Sequence, residues 1–573
     1  MDRLVDRRLS RRRFLAATAA TAAGGAAILA GGGAALAAPP PRPQLADEDE
    51  PWFETSIPEL QALMASGELT SRVLTMGYLA RITALNPTLH AVIETNPQAI
   101  GIAAQRDAER RRGKVRGPLH GIPILVKDNI ATHDRMETTA GSLALVGSRV
   151  PRDATLVAGL RAAGAVILGK TNLSEWANFR GFVPQPVIDA GLFLNGWSGR
   201  GGFTRDPYVL SWDPCGSSSG SGVAPAANLC AAAVGTETDG SVVCPAGNNA
   251  VVGLKPTIGL VAQDGIIPIA HSQDSAGPMG RSVTDVAILL NAMVSPFGAV
   301  AGHDIPDDYT AFLERGALDG ARIGVDRRLF SADYFADLTL NPLTEDALTI
   351  MAAAGATIID PVDAPDPFVF FDAEFTVLLH EFKEDIATYL SGLSHTNMRS
   401  LADLIAFNQA HCDAEMRYFG QELFEISEGT AGTSSDEYLE ARALCLEVAR
   451  DGIDTLMADL ELDAIVAPIY SFGSSAPAAA GYPIISVPTG VTEDGRPGGV
   501  WMYAGFLQEG KLLALGYDLE QEVGGRPQPH YLGSLPALPP DAGICATPLA
   551  ARRQAKMRDV RERMLKARKP AHH

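Results

Sequence analysis

The stretch Pro214-Cys215-Gly216-Ser217-Ser218-Ser219-Gly220-Ser221-Gly222 gathers four hydroxyls between glycines. A serine framed by glycines suggests a nucleophile, one that stays weak until a neighbouring base takes its proton. Gly216 to Gly220 satisfies G-x-S-x-G, which would make Ser218 the attacking residue of a nucleophile elbow. That elbow needs a strand running into it. The approach here is Ser211-Trp212-Asp213-Pro214-Cys215, where Asp-Pro favours a turn and proline interrupts a strand. A second candidate stands downstream in Gly235-Thr236-Glu237-Thr238-Asp239-Gly240-Ser241. There a short apolar segment (residues 231–234) enters a polar, glycine-bearing turn ending on one serine. Successive backbone N–H groups in such a turn can hold an anion, so Ser241 would lie beside oxyanion donors suited to acyl transfer. The third piece is Lys127, which closes the apolar run 122–126 and precedes Asp128-Asn129. A lysine at the mouth of a buried strand commonly pairs with a carboxylate. When desolvated it loses its proton more easily and can act as a base.

The elements that must position these residues read as alternating helices and strands. After a polar, proline-rich linker, Leu60, Leu63 and Met64 share one helical face, and Val73, Met76, Leu79 and Ile82 share another in a segment starting at Thr70. A third helix is expected over residues 97–112 and a fourth over 153–163. Apolar runs at 122–126, 165–168, 322–325, 356–359, 464–467 and 484–487 read as buried strands. Strands alternating with helices predict an α/β fold, a large mixed sheet with helices on both faces. Residues 181–215 read as a long ordered loop rich in Gly, Pro and aromatics, among them Phe182, Trp197, Phe203, Tyr208 and Trp212. Residues from about 300 to 460 read as a more helical insert or cap, with its longest helix at 436–460.

With 67 acidic against 47 basic residues the net charge is −20, which argues against nucleic acid or anionic membrane as partner. Six cysteines among 573 residues are too sparse for a disulfide framework. No C-x-x-C or H-E-x-x-H pattern occurs and the eleven histidines are scattered, so neither a metal nor another cofactor is expected. The N-terminus stands apart. Arg11-Arg12-Arg13-Phe14-Leu15 precedes a mildly apolar Ala/Gly run that closes on Ala35-Leu36-Ala37, an A-x-A cleavage pattern. Residues 1–37 are therefore expected to be a twin-arginine-type signal peptide, followed by a linker at 38–51 and a catalytic domain at 52–573. The mature protein is expected to be exported, periplasmic or secreted, and not membrane-bound.

Taken together the three pieces resemble the amidase signature family. The likeness runs through Gly121-Ile122-Pro123 to Asn129, the serine-rich loop, Gly235 to Ser241, Gly253-Leu254-Lys255-Pro256-Thr257, Gly277-Pro278-Met279, Tyr482-Pro483 and Lys511 to Leu515. It covers roughly residues 55–525. The resemblance implies a Ser–Ser–Lys triad with Lys127 as base, Ser217 as the bridging serine held by a cis peptide, and Ser241 as nucleophile. The two serines lie 24 residues apart, as in the family. It further implies an oxyanion hole from the backbone N–H groups of Thr238, Asp239, Gly240 and Ser241, with Ser218 in support. Val243 stands where an arginine is usual, and Cys215 and Ser219 where glycines are usual.

Within the family the motifs are most like those of bacterial peptide amidases, through Thr171 to Gly181, Gly196-Trp197-Ser198, and Glu381-Phe382-Lys383. That subgroup shares Val243 and Cys215. The implied activity is hydrolysis of C-terminal peptide amides to the free acid and ammonia through an acyl-enzyme, on a small amide or amidated peptide. A general amidase acting on aryl, aliphatic or N-acyl amides would carry the same triad. The glutamine-hydrolysing subunit of an aminoacyl-tRNA amidotransferase shares the family, but an exported acidic chain would not meet tRNA. A catalytically inactive exported binding protein would need a broken triad. An insertion at 183–195 is expected at the mouth of the pocket.

Overall fold

The computed structural model describes residues 49–184 and 194–545. The expected signal peptide, nearly all of the linker, and residues 185–193 of the insertion lie outside the described residues.

The first two helices each start at a hydroxyl cap. Ser56 precedes α1 (Ile57–Ser66), and its N–H and Oγ both donate to Glu59 Oε2, at 2.9 and 2.6 Å. Gly67, left-handed at φ 86°, ends it. Thr70 Oγ1 accepts from Val73 N at the start of α2 (Ser71–Leu89). The buried stripe of α2 is Leu74, Tyr78, Ile82, Leu85 and Leu89, whereas Val73 and Met76 are half exposed. Of the expected face, Ile82 is buried and Leu79 packs partly buried against the core, while the buried face as a whole is turned toward Leu74 and Tyr78. The sequence offers two adjacent apolar stripes on α2, and contact with the rest of the fold selects the one carrying Tyr78. Helices α3 (Ala99–Arg111) and α4 (Thr155–Ala162) fall where periodicity placed them.

The sheet strands are β1 (Val92–Thr95), β2 (Pro123–Lys127), β3 (Val166–Thr171), β6 (Ala232–Glu237), β7 (Val252–Lys255), β8 (Ser275–Gly280), β9 (Arg322–Val325), β10 (Thr357–Ile359), β11 (Ala464–Pro468), β12 (Ile484–Val491) and β13 (Pro497–Tyr503). They form one mixed eleven-stranded sheet in the order β1-β3-β2-β6-β8-β7-β12-β13-β11-β9-β10. Strands β2, β3 and β6 run parallel and are buried along their whole length, which is why they read as unbroken apolar runs. Strands β7, β8 and β13 did not stand out in the sequence. They carry Gly253, Gly277, Gly280, Gly498 and Gly499, and a Cβ at Gly277 would meet Leu254 O at 2.2 Å. Close strand packing there requires glycine, and glycine erases the hydrophobic signal.

A small hairpin, β4 (Trp197–Ser198) with β5 (Gly202–Phe203), orders the aromatic loop. Its Trp197 and Phe203 pack with Tyr418 and Phe419. Residues 300–460 supply β9 and the edge strand β10 to the main sheet and are otherwise largely helical. The longest helix is Pro367–Ser391, opened by Asp366, whose side chain accepts from Phe368 N. The expected 436–460 helix is a continuous run interrupted by a π turn at Leu446–Arg450.

Candidate active site

Strands β2 and β6 are neighbours, and both end at the same edge of the sheet. Lys127 is the last residue of β2, Thr236 and Glu237 end β6, and the turn 238–241 follows directly. The serine loop closes over this edge as it enters α5 (Ser219–Ala226). Such carboxyl ends of parallel strands are where open α/β sheets place their sites.

Lys127 Nζ is fully buried. It donates to Ser217 Oγ at 2.7 Å, Ser218 Oγ at 2.9 Å, Thr236 Oγ1 at 2.9 Å and Thr236 O at 3.2 Å. Among the described residues no carboxylate lies within ion-pair distance of it. Burial pulls its pKa from 10.5 down to about 7, against the opposing pull of the Asp274 and Glu237 carboxylates. Buried and without a carboxylate at ion-pair distance among the described residues, the amine is held as a base that can take a proton, not as half of a salt bridge.

The crowded hydroxyls separate by partner. Ser217 Oγ faces Lys127, and the Gly216–Ser217 peptide is cis. Ser218 Oγ is held by Lys127, Thr236 N at 3.1 Å and Thr236 O at 3.0 Å. Ser219 Oγ donates to Cys215 O, and Ser221 Oγ pairs with Thr171 Oγ1 at 2.7 Å. Ser218 is therefore saturated and fully buried, and no strand leads into it, so the elbow geometry is absent. Ser241 sits on the cleft surface. Among the described residues its Oγ makes no hydrogen bond, so the contact from Ser241 to Ser217 is open in this structure.

The turn 238–241 is braced residue by residue. Thr238 Oγ1 donates to Asp274 Oδ1 at 2.6 Å, and Asp239 accepts from Ser474 Oγ at 2.6 Å and Ser475 Oγ at 2.9 Å. Gly240 takes φ 74°. Glu237 Oε2 accepts from Val242 N at 2.7 Å and Val243 N at 3.0 Å, capping the helix α6 (Val243–Asn248). The N–H groups of Thr238, Asp239, Gly240 and Ser241 donate to no protein group among the described residues, and all four residues line one cleft. Unspent donors converging on a cleft beside a serine are what an oxyanion needs.

Asp274 and Thr236 escaped the sequence reading. Asp274 accepts from Thr238 Oγ1 and from Ile269 N and Ala270 N, and burial lifts its pKa to about 7. Nothing in its local sequence separates it from a loop aspartate. The same loop carries His271, whose Nδ1 lies 2.9 Å from Asp385 and 3.4 Å from Glu381 on the long helix. The hydrogen bond with Asp385 raises the imidazole to about 9, so it is a charged latch between loop and helix.

The cleft encloses a volume of about 210 Å³. Its walls include Phe179, Phe182, Leu194, Phe335, Phe472 and Trp501. Among the described residues lining it there is no Lys, Arg or His. Asn178 and Asn195 line the mouth and hydrogen-bond each other at 3.0 Å, with Asn195 also bound to buried Asp213 at 2.9 Å.

The sequence left the pairing of individual cysteines open, and the structure settles it. Two disulfides are present, Cys215–Cys244 and Cys412–Cys545, while Cys230 and Cys445 are free and buried. Sparse cysteines rule out a framework holding the whole fold together, but not single bridges between segments that the fold brings into contact.

Comparison with known proteins gives the family and the fold. A family model described as Amidase matches residues 73–474. An Arabidopsis thaliana protein named as a probable amidase is 40% identical over 493 residues, covering 84% of this chain and 92% of that protein. The crystal structure of peptide amidase from Stenotrophomonas maltophilia superposes with a TM-score of 0.77 at 48% identity, covering 84% of this chain and 99% of that one. A peptide amidase in complex with the competitive inhibitor chymostatin gives the same TM-score and identity over 84% of this chain and 100% of that one.

Proposed function

This chain belongs to the amidase family and is an amide-hydrolysing enzyme, and on that footing we propose that it removes the C-terminal amide of peptides with a Lys127–Ser217–Ser241 relay. The observation that carries the relay is the buried Lys127 amine, hydrogen-bonded to Ser217 Oγ at 2.7 Å with no counter-ion.

Neutral Lys127 accepts the proton of Ser217, and Ser217 takes that of Ser241. Ser241 Oγ bonds to the amide carbon, and the carbonyl electrons move to oxygen, facing the N–H groups of residues 238–241. Ser217 then protonates the nitrogen and is reprotonated by Lys127, the oxyanion electrons re-form the carbonyl as the C–N bond breaks, and ammonia leaves. Water enters, gives its proton to the same relay and adds to the acyl carbon, and Ser241 is released as the acid departs. One oxyanion donor of this kind is worth about 2.7–4 kcal/mol, so the bracing of the turn is functional. Ser218, which also holds Lys127, keeps the amine aimed.

The cleft supports the substrate. An apolar, aromatic wall suits an uncharged acyl group, and among the described residues lining it no cation stands ready to neutralise a free carboxylate. An amidated peptide end is neutral; the product acid is not, which favours its release. Export is proposed with the activity. The arginine-led N-terminus motivates it, and two disulfides fit an oxidising compartment.

The test is ammonia release by residues 38–573 from C-terminally amidated peptides, set beside aryl and aliphatic amides, with Ser241→Ala as blank. Ammonia from the peptide amides, internal bonds intact, supports the proposal. Turnover confined to small amides would move the function to a general amidase. Export is read separately, by locating the mature chain after Arg12→Lys/Arg13→Lys substitution; unchanged export would remove that part.

A further inference from the structure

We infer that the Cys215–Cys244 disulfide is a positioning element for catalysis, one that holds the bridging serine and the nucleophile at working distance. This rests on the proposed relay. Cys215 stands two residues before Ser217, and Cys244 three residues after Ser241, and the cysteines are 29 positions apart in sequence. Their Cα atoms are 5.8 Å apart, and both residues line the same cleft as Ser241. The bridge therefore joins the two loops that carry the two serines, at the point where each loop enters the site.

Lys127 to Ser217 is already fixed by a 2.7 Å hydrogen bond between two buried groups. Ser217 to Ser241 has no such contact. What links the two loops is the backbone bond Ser218 N to Ser241 O at 3.2 Å, the Asn248 and Asn249 side chains donating to Asp213 O and Pro214 O at 2.9 Å each, and the disulfide. Of these the disulfide alone is covalent. The relay's open gap is thus spanned by the strongest tie in the neighbourhood. A misplacement of about 1 Å between reacting groups costs roughly a hundredfold in rate. A staple placed elsewhere would add stability but not set this distance. The second disulfide, Cys412–Cys545, joins neither of the two serine loops and supplies an internal control.

The experiment compares Cys215→Ser/Cys244→Ser with Cys412→Ser/Cys545→Ser by kcat, KM, the rate at which phenylmethylsulfonyl fluoride labels Ser241, and thermal midpoint. Both pairs are expected to lower the midpoint. Only the first is expected to lower kcat, by roughly a hundredfold with KM within about twofold, and to slow labelling in parallel. Should that pair fail to fold, the same readouts are taken on folded Cys412→Ser/Cys545→Ser enzyme treated with a dithiol. The dithiol reduces the one remaining bridge to two thiols and is itself oxidised to a cyclic disulfide; reoxidation should restore kcat. Unchanged kcat and labelling after loss of Cys215–Cys244, in a chain whose midpoint has dropped, would reduce the bridge to a staple and overturn the inference. A disulfide-intact enzyme that neither turns over amides nor labels at Ser241 would instead sink the relay.

Discussion

Lys127 makes the sharpest prediction, because its protonation state fixes the pH dependence of the reaction. An ordinary lysine at 10.5 would be neutral in only about one molecule in three thousand at pH 7. With burial holding it at about 7, half the molecules carry a neutral amine. That is a gain of about a thousandfold in available base, or about 4 kcal/mol at 1.36 kcal/mol per unit. Deprotonation activates, so activity must fall as pH drops through the folded pKa. In kcat/KM for a peptide amide, the plateau should lie above pH 8, with about half activity near 7, about a tenth near 6 and about a hundredth near 5. Asp274, itself near 7, and Glu237 face the amine, so the limb belongs to the coupled group. Their negative charge favours the ammonium; Asp274→Asn should therefore move the limb to lower pH. The assay is initial-rate ammonia release from pH 5 to 10, with the unfolding midpoint followed at each pH. A rate still climbing tenfold per unit between pH 8 and 10 would mean that burial does not lower Lys127. A flat profile from 5 to 9 would mean that Lys127 is not the base.

Further substitutions separate the roles of neighbouring residues. Ser241→Ala, Ser217→Ala and Lys127→Ala should each cut kcat by at least about a thousandfold with the unfolding midpoint little changed, whereas Ser218→Ala, losing one hydrogen bond to Lys127, should cost about 1.5–3 kcal/mol, roughly ten- to a hundredfold. Large loss in Ser218→Ala with an active Ser241→Ala would reverse that order. Asp274→Asn places an amide against three donors, Thr238 Oγ1, Ile269 N and Ala270 N, so its midpoint should fall by the equivalent of about 1–3 kcal/mol and its kcat with it; a fully stable, fully active variant would remove Asp274 from the site. Gly235→Ala would put a Cβ 2.8 Å from Ser218 Oγ and 2.9 Å from Ser218 Cβ, displacing the hydroxyl that aims Lys127; kcat should fall with KM nearly constant, and an unaffected kcat would show that Ser218 yields without consequence.

The sequence by itself determined the parallel core and the chemical types at the site. Strands β2, β3 and β6 are buried on both faces, so their leading runs of Ile, Leu, Val and Ala carry the signal without alternation before polar residues end them. Lys127 and the donor turn ending on Ser241 were legible because each follows an apolar run with polar groups, whereas the role of Ser217 came only from the family resemblance. Which hydroxyl faces the amine was a different matter. Four serines within five positions are equivalent in composition, and the cleft's lining residues come from segments between 177 and 501, gathered only by folding. The antiparallel strands β7, β8 and β13 stayed hidden because close packing there selects glycine over apolar side chains. The buried face of α2, the bracing of Thr238 by Asp274 and the Cys215–Cys244 bridge are contacts across long chain separations. Their energies depend on distances that no local pattern encodes, so only the tertiary structure decided them.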